Sequence, residues 1–386
     1  MNYLSNTTLN YPASGIRVMF DLASKYPDAI NLSLGEPNFE TPEHIKAAGI
    51  KAISEGLTKY NPNAGLYELR EAVAEKYGND LGYKIEAENV MIAAGAMEAI
   101  FLALAAIIDN GDEVIIPDPG YPNYSGTVAT LGGEMVRVPL YEEYGFKLQP
   151  EDLEKAITPK TKVLIMNYPT NPLGAILNKE DVEKLAEVVK KHNIVVISDE
   201  VYDKIIYDEN VHYSISQVED VRKQVLVVNG LSKTYAMTGW RIGFIIGDKE
   251  IIKNMPKIQE GVVSCLPPFV QMAAVEALRG PQDCVEEMVS HYTRRRKIIT
   301  DGLNSIKGFK CLESGGTFYA FSNIKSFGKT SKEFAVEILQ EAKVVCVPGS
   351  AFGEMGEGYI RLSFANSDEN LYEAVKRIKN YIEKAY

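Results

Sequence analysis

The sequence predicts an α/β fold, a mostly parallel central sheet with helices on both faces, joined to a smaller α+β unit. Three observations predict it. Short apolar runs alternate with longer amphipathic stretches through the middle of the chain. Several of those runs are apolar at nearly every position, as strands must be when helices cover both of their faces. The C-terminal third changes pattern, with a long helical stretch leading into its strands.

The elements follow in order. The run VMIA at 90–93 is a strand, and a helical pattern covers 97–108. Further strands fall at 113–116, 135–138, 163–166, 194–197 and 225–228. A helix over 179–191 precedes the 194–197 strand, with Asn178 as its N-cap. Past this point the pattern reads as a helix over 281–306, a strand at 317–321 and a helix over 331–341. Strands at 344–347 and 359–364 and an amphipathic helix over 369–385 complete the chain. The expected division is a large unit at 46–285 and a small one at 286–386, with 1–45 packing beside the small one. No linker rich in Gly, Ser or Pro separates them, and no repeat stands out.

Composition narrows the function. The chain has 386 residues, 46% of them apolar, and a formal net charge of −11. An acidic chain is a poor general partner for nucleic acid, which asks for basic patches. The cluster Arg294-Arg295-Arg296 reads as the solvated face of a helix. Cys265, Cys284, Cys311 and Cys346 are far apart, and the four histidines are equally scattered. Reduced thiols are expected, with neither a zinc site nor a disulfide framework. The N-terminus lacks the basic and apolar regions of a signal peptide. No window approaches the roughly 18 apolar residues of a membrane span, so a cytoplasmic protein is expected.

In a parallel sheet, ligands bind just past the carboxyl ends of the strands. The loops at those places carry chemistry. Gly95-Ala96-Met97 follows the first strand, and Tyr121 follows the 113–116 strand. Asn171 follows the 163–166 strand, and Asp199 and Tyr202 follow the 194–197 strand. Lys233 follows the 225–228 strand, within LSKTYAMTGWRIG at 231–243, with Arg241 eight positions on. A lysine that can lose its proton forms imines. An arginine nearby holds a phosphate by paired hydrogen bonds. An acid on a third segment pairs with a pyridinium nitrogen. These needs together describe a site for pyridoxal 5′-phosphate (PLP). The dinucleotide reading of an α/β sheet lacks its fingerprint, since no G-x-G-x-x-G follows an early strand.

The chain resembles the class I/II aminotransferases of PLP fold type I, in the subgroup of aspartate and aromatic aminotransferases. The blocks that carry the resemblance run in family order over nearly the whole length. They are Gly35 through Phe39, Tyr60 through Gly65, Gly95 through Ala99, Asn167 through Gly174, Asp199 through Tyr202, Ser232 through Gly243, Pro348 through Gly353 and Arg361 through Ala365. The resemblance implies that Lys233 forms the imine with PLP and then serves as the base that moves the substrate proton. It implies that Asp199 pairs with the ring nitrogen and that Tyr202 and Asn171 bond the phenolic oxygen. Arg241 and the amides of Ala96 and Met97 are to bind the phosphate, helped by a helix N-terminus. Tyr121 is to stack on the ring, where many aspartate enzymes carry Trp. Arg361 is to clamp the substrate α-carboxylate, with the backbone of Gly35 opposite. Tyr60 is to reach the phosphate from a partner subunit, which implies a homodimer with active sites at the interface. Gly230 departs from relatives that carry a serine there, which removes one phosphate donor.

The implied reaction passes the amino group of an L-amino acid to a 2-oxo acid, with 2-oxoglutarate as the expected acceptor, by a ping-pong PLP mechanism. A C–S β-lyase on the same fold is the alternative, because both begin with the same bond between substrate and cofactor. A regulator with a DNA-binding extension is disfavoured, since the blocks begin near Gly35 and no helix-turn-helix precedes them. Side-chain selection falls to the N-terminal segment, where Ser14, Ile16 and Arg17 are candidates.

Overall fold

A computed structural model describes residues 3–11 and 15–386, without the side chains of Asn6, Asn10 and Ile16. Ser14 therefore lies outside the described residues, as does the side chain of Ile16.

The strands begin with β1 (Ile30–Asn31). The central sheet follows, with β2 (Val90–Ala93), β3 (Glu113–Asp118), β4 (Glu134–Pro139), β5 (Thr161–Asn167), β6 (Val195–Asp199), β7 (Val225–Gly230) and β8 (Gly243–Ile246). Its spatial order is β2-β8-β7-β6-β5-β3-β4. Only β8 runs against its neighbours, antiparallel to both β2 and β7. The carboxyl ends of β2, β3, β5, β6 and β7 thus share one rim, and β8 enters the sheet from that rim. The sequence reading found six of these strands and not β8, because the short run of 243–246 sits inside the segment that Lys233 and Arg241 dominate.

The two-sided apolar strands behave as the pattern requires. Val163 and Ile165 of β5 pack in the core under the Ala96–Ile107 helix, while Leu164 and Met166 pack in the core on the opposite face. The helix over Lys179–His192 begins at an Asn178 capping box, in which the Asn178 side chain accepts from the Asp181 amide.

The remaining strands are β9 (Lys310–Cys311), β10 (Tyr319–Asn323), β11 (Val344–Val345), β12 (Val347–Pro348) and β13 (Tyr359–Ser363). Four of them form an antiparallel sheet in the order β12-β13-β10-β9. The fifth, β11, pairs in parallel with β1. A separate core holds this part together, with Met19 and Leu32 of the N-terminal segment buried in it.

Several local expectations shift. The strand expected at 317–321 starts at Tyr319, since Thr317 takes a left-handed turn at φ 66°. The run at 344–347 splits between two sheets. The helix expected over 331–341 is α-helical for Ser331–Glu337 and then widens into a π turn over Ile338–Ala342. The arginine cluster corrects the sequence reading outright. Arg295 and Arg296 are buried, at 6% and 1% exposure, and only Arg294 faces outward. Arg295 donates to Asp368 and Asn38, and Arg296 lies over the Tyr207 ring and donates to the Ser314 carbonyl and Asp208. Arginine tolerates this because its planar head offers several donors to carbonyl and carboxylate partners while its stem packs, although the Arg296 Nε has no partner.

The four cysteines are unpaired. Among the described residues no helix is long and apolar enough to cross a membrane.

Candidate active site

The shared rim opens into a cavity of about 280 Å³. Ten of the eleven residues to which the resemblance gives a role at the cofactor or the substrate carboxylate line it: Gly35, Ala96, Met97, Tyr121, Asn171, Asp199, Tyr202, Lys233, Arg241 and Arg361. Tyr60 is the exception. It stands away from the cavity of its own chain and is 91% exposed. A larger hollow of about 870 Å³ lies alongside, walled partly by the Gly15–Ala23 helix and sharing Tyr121. The smaller cavity is where the charged groups converge.

Lys233 sits on the single helical turn Leu231–Thr234 that follows β7. Its ammonium donates to the Gly35 carbonyl at 2.6 Å. Burial pulls the Lys233 pKa down to about 8, with Arg361 and Arg241 pulling the same way against the opposing charge of Glu36.

Asp199 ends β6 and is buried. The Tyr124 hydroxyl donates to its carboxylate at 2.5 Å, and the Val201 amide approaches it at 3.4 Å. Burial still pushes the Asp199 pKa up to about 6, against the pull of those bonds. Asn167 fixes the floor beside it. Its amide donates to the Asp199 carbonyl, and its side-chain oxygen accepts from the Asn171 amide at 2.9 Å.

Arg241 enters β8 in a left-handed conformation at φ 54°. Its guanidinium donates to the Thr238 and Ala94 carbonyls and lies against Gly95. Gly95, at φ 85°, leads into the Ala96–Ile107 helix. The leading amides of such a helix have no intrahelical acceptor and carry the positive end of its dipole. A guanidinium and free amides thus face one spot, a cradle for an anion.

Arg361, on β13, is 1% exposed. It donates to the Asn171 side-chain oxygen at 2.9 Å and to the Ser33 carbonyl at 2.6 Å. Its head lies between the rings of Tyr319 and Phe352, at 4.4 and 4.9 Å. Its Nε is buried with no partner. A guanidinium that lines the cavity suits an anionic acceptor.

Tyr124, Tyr319 and Ser33 received no role from the sequence, and Asn167 entered only as the first residue of a family block. Tyr124 precedes Asp199 by 75 positions, and Tyr319 comes from the other sheet. No spacing signal links residues so far apart. Arg17, a candidate for side-chain selection, pairs with Asp21 on an exposed helix face.

Comparison with known proteins shows which family the chain is similar to. Residues 27–378 match the sequence profile of the family described as aminotransferase class I and II. The chain is 43% identical to the aspartate aminotransferase of Pyrococcus horikoshii over 99% of this chain and 97% of that one. It is 43% identical to aromatic-amino-acid aminotransferase 2 of Thermococcus litoralis over 96% of each. Among solved structures, the aromatic aminotransferase of Pyrococcus horikoshii superimposes with a TM-score of 0.91 at 43% identity, covering 96% of this chain and 99% of that one.

Proposed function

The chain belongs to the class I and II aminotransferase family, and from that premise we propose how its cavity carries out the family's reaction and on which substrates. It is a PLP-dependent aminotransferase of fold type I, which moves the amino group of an L-amino acid to a 2-oxo acid. The relatives' names favour this outcome over C–S cleavage.

The residues present fit PLP. Asp199 is a buried carboxylate awaiting a cation, the Gly95–Arg241 cradle awaits an anion, and Lys233 is an amine made easier to deprotonate. PLP, when bound, supplies an electron sink for charge developing at the substrate Cα and carries the amino group between half-reactions. In our reading Lys233 holds the cofactor and, once freed, moves the proton at Cα. Asp199 keeps the ring nitrogen protonated. Arg241 with the Ala96 and Met97 amides binds the phosphate. Tyr202 donates to the phenolic oxygen, and so does the Asn171 amide nitrogen, whose oxygen is already taken by Arg361. Tyr121 covers the ring.

One observation carries the substrate class. Arg361 lines the cavity that holds Lys233, its head is held between two rings, and its planar fork suits an α-carboxylate. Gly35, whose carbonyl accepts from Lys233, lines the same cavity. We take the donor to be aspartate or an aromatic amino acid and the acceptor to be 2-oxoglutarate, on the strength of the relatives' names. The test is the half-reaction. An amino acid alone should shift the visible absorption of the PLP-loaded protein. A panel of Asp, Tyr, Phe, Ala, Lys and Met against 2-oxoglutarate then ranks donors. Release of pyruvate and ammonia with no acceptor present would overturn the assignment.

We further propose a homodimer in which Tyr60 completes the partner's phosphate site. Exposed apolar side chains support it, since Ile50, Ile53, Leu57, Tyr67, Val262 and Val263 leave a surface that water solvates poorly. The three-part division at 1–45, 46–285 and 286–386 draws support from the separate core and the β1–β11 pairing. Four unpaired cysteines favour a cytoplasmic location.

A further inference from the structure

Tyr319 opens β10 in the smaller sheet, yet its side chain stands in the cavity of the larger one. It is 1% exposed. Its hydroxyl lies 2.9 Å from the Tyr202 hydroxyl. Its ring carries the Arg361 guanidinium at 4.4 Å from the centroid. The hydroxyl fits because residue 35 is glycine, where a Cβ would come within 2.3 Å of the Tyr319 oxygen. Three residues read from the sequence as site members, Gly35, Tyr202 and Arg361, therefore converge on one that was not.

Two phenols at hydrogen-bond distance must divide the roles of donor and acceptor, since each has one proton to give. The cation over the Tyr319 ring favours a negative charge on its oxygen and makes that hydroxyl the more acidic of the two. Burial pushes both phenols above their ordinary value. The more acidic hydroxyl is the better donor. Tyr202 then accepts, and its own proton is left for the cavity.

We propose that Tyr319 is a positioning residue for this reaction: its hydroxyl donates to Tyr202 and turns the Tyr202 proton into the cavity, while its ring seats Arg361 for the substrate carboxylate. The inference rests on the reading that PLP lies against Tyr202. A hydrogen bond donated into the ionised phenolic oxygen of the cofactor favours its charge and makes the neighbouring nitrogen less basic. Tyr202 donates more strongly while it is itself accepting from Tyr319, because chained hydrogen bonds polarise one another. One tyrosine thereby serves the cofactor end and the carboxylate end of the cavity together.

The test uses PLP-loaded full-length protein. Tyr319→Phe keeps the ring and the packing and removes only the hydroxyl. The pH midpoint of the visible absorption should rise by roughly half a pH unit as that polarisation is lost. Losing one hydrogen bond should lower kcat about fivefold, with KM for the amino donor held within about twofold. Tyr202→Phe should raise the midpoint further, and adding Tyr319→Phe to it should do nothing more, since the pair acts as a unit. Tyr319→Leu removes the ring and should raise KM about tenfold. An unmoved midpoint in Tyr319→Phe, or additive shifts in the double variant, overturns the hydroxyl role. An unchanged KM in Tyr319→Leu overturns the ring role. A wild-type protein that takes up PLP and turns over no amino donor overturns the functional reading instead, which these midpoints do not measure.

Discussion

Asp199 is a carboxylate held where water scarcely reaches it, with a tyrosine hydroxyl as its strongest partner. Its raised pKa means that the folded apoprotein binds its proton more tightly than the unfolded chain does. The group therefore lowers apoprotein stability as pH rises from its ordinary value through about 6, and the cost persists above that. Asp199→Asn removes the titration and keeps an acceptor for Tyr124. Without PLP, this variant should melt a few degrees above wild type at pH 8, with the gap closing near pH 4. With PLP the order should reverse, and calorimetry with and without cofactor reads both. The strain is kept because the site needs it. Lys233 offers a matching test. The free amine is the nucleophile, so the rate of PLP uptake by apoprotein should climb with pH around a midpoint near 8, not 10.5, by stopped-flow absorbance. Lys233→Ala should cut turnover by about 10³-fold or more.

At the scale of elements, the anion cradle depends on one backbone conformation. Gly95 sits at φ 85°, and a Cβ there would meet the Arg241 Nη2 at 2.6 Å. Gly95→Ala should cost about 1 kcal/mol in stability from the left-handed backbone. It should also weaken PLP binding about tenfold or more by displacing the guanidinium, as equilibrium dialysis of the apoprotein would measure. Thermal stability unaffected and PLP affinity unchanged would contradict both halves. Asn178→Ala is a useful contrast. Loss of its cap on the Lys179–His192 helix should cost about 1 kcal/mol and leave PLP affinity alone. Elements of this kind were legible where periodicity or capping is local, as at 90–93, 178–192 and 225–228. They were not legible where tertiary pairing sets the limits. The strand β8 and the split of 344–347 between two sheets answer to partners that lie far away in the chain.

At the scale of the whole molecule, the cavity is a product of strand order. Neighbouring strands place Asp199, Lys233 and Arg241 side by side, while β13 of the smaller sheet brings Arg361 across to meet them. The proposed dimer extends this logic to a second chain. Tyr60→Phe homodimers should hold PLP about tenfold less tightly than wild type, for the loss of one hydrogen bond to a charged group. In hybrids of Tyr60→Phe with Lys233→Ala chains, one site contains both defects and the other neither. Such hybrids should regain close to one tight, active site per dimer, counted by PLP absorbance and turnover. Failure to regain it would place Tyr60 in its own chain's site, and wild-type PLP affinity in the Tyr60→Phe homodimer would place it in none.

The sequence by itself determined the chemistry. Residue types such as a lysine followed by an arginine at a fixed interval, an acid closing an apolar strand and a glycine leading a helix are local facts, and local facts survive in one dimension. It determined the two-sided apolar strands of the central sheet for the same reason, because burial on two faces writes itself into consecutive residues. The tertiary structure alone decided what surrounds that chemistry: Tyr124 on Asp199, Tyr319 between Tyr202 and Arg361, and the arginines at 295 and 296 turned inward. These contacts join residues tens to hundreds of positions apart. Their energies depend on burial and on direction, which exist only once the chain has closed on itself.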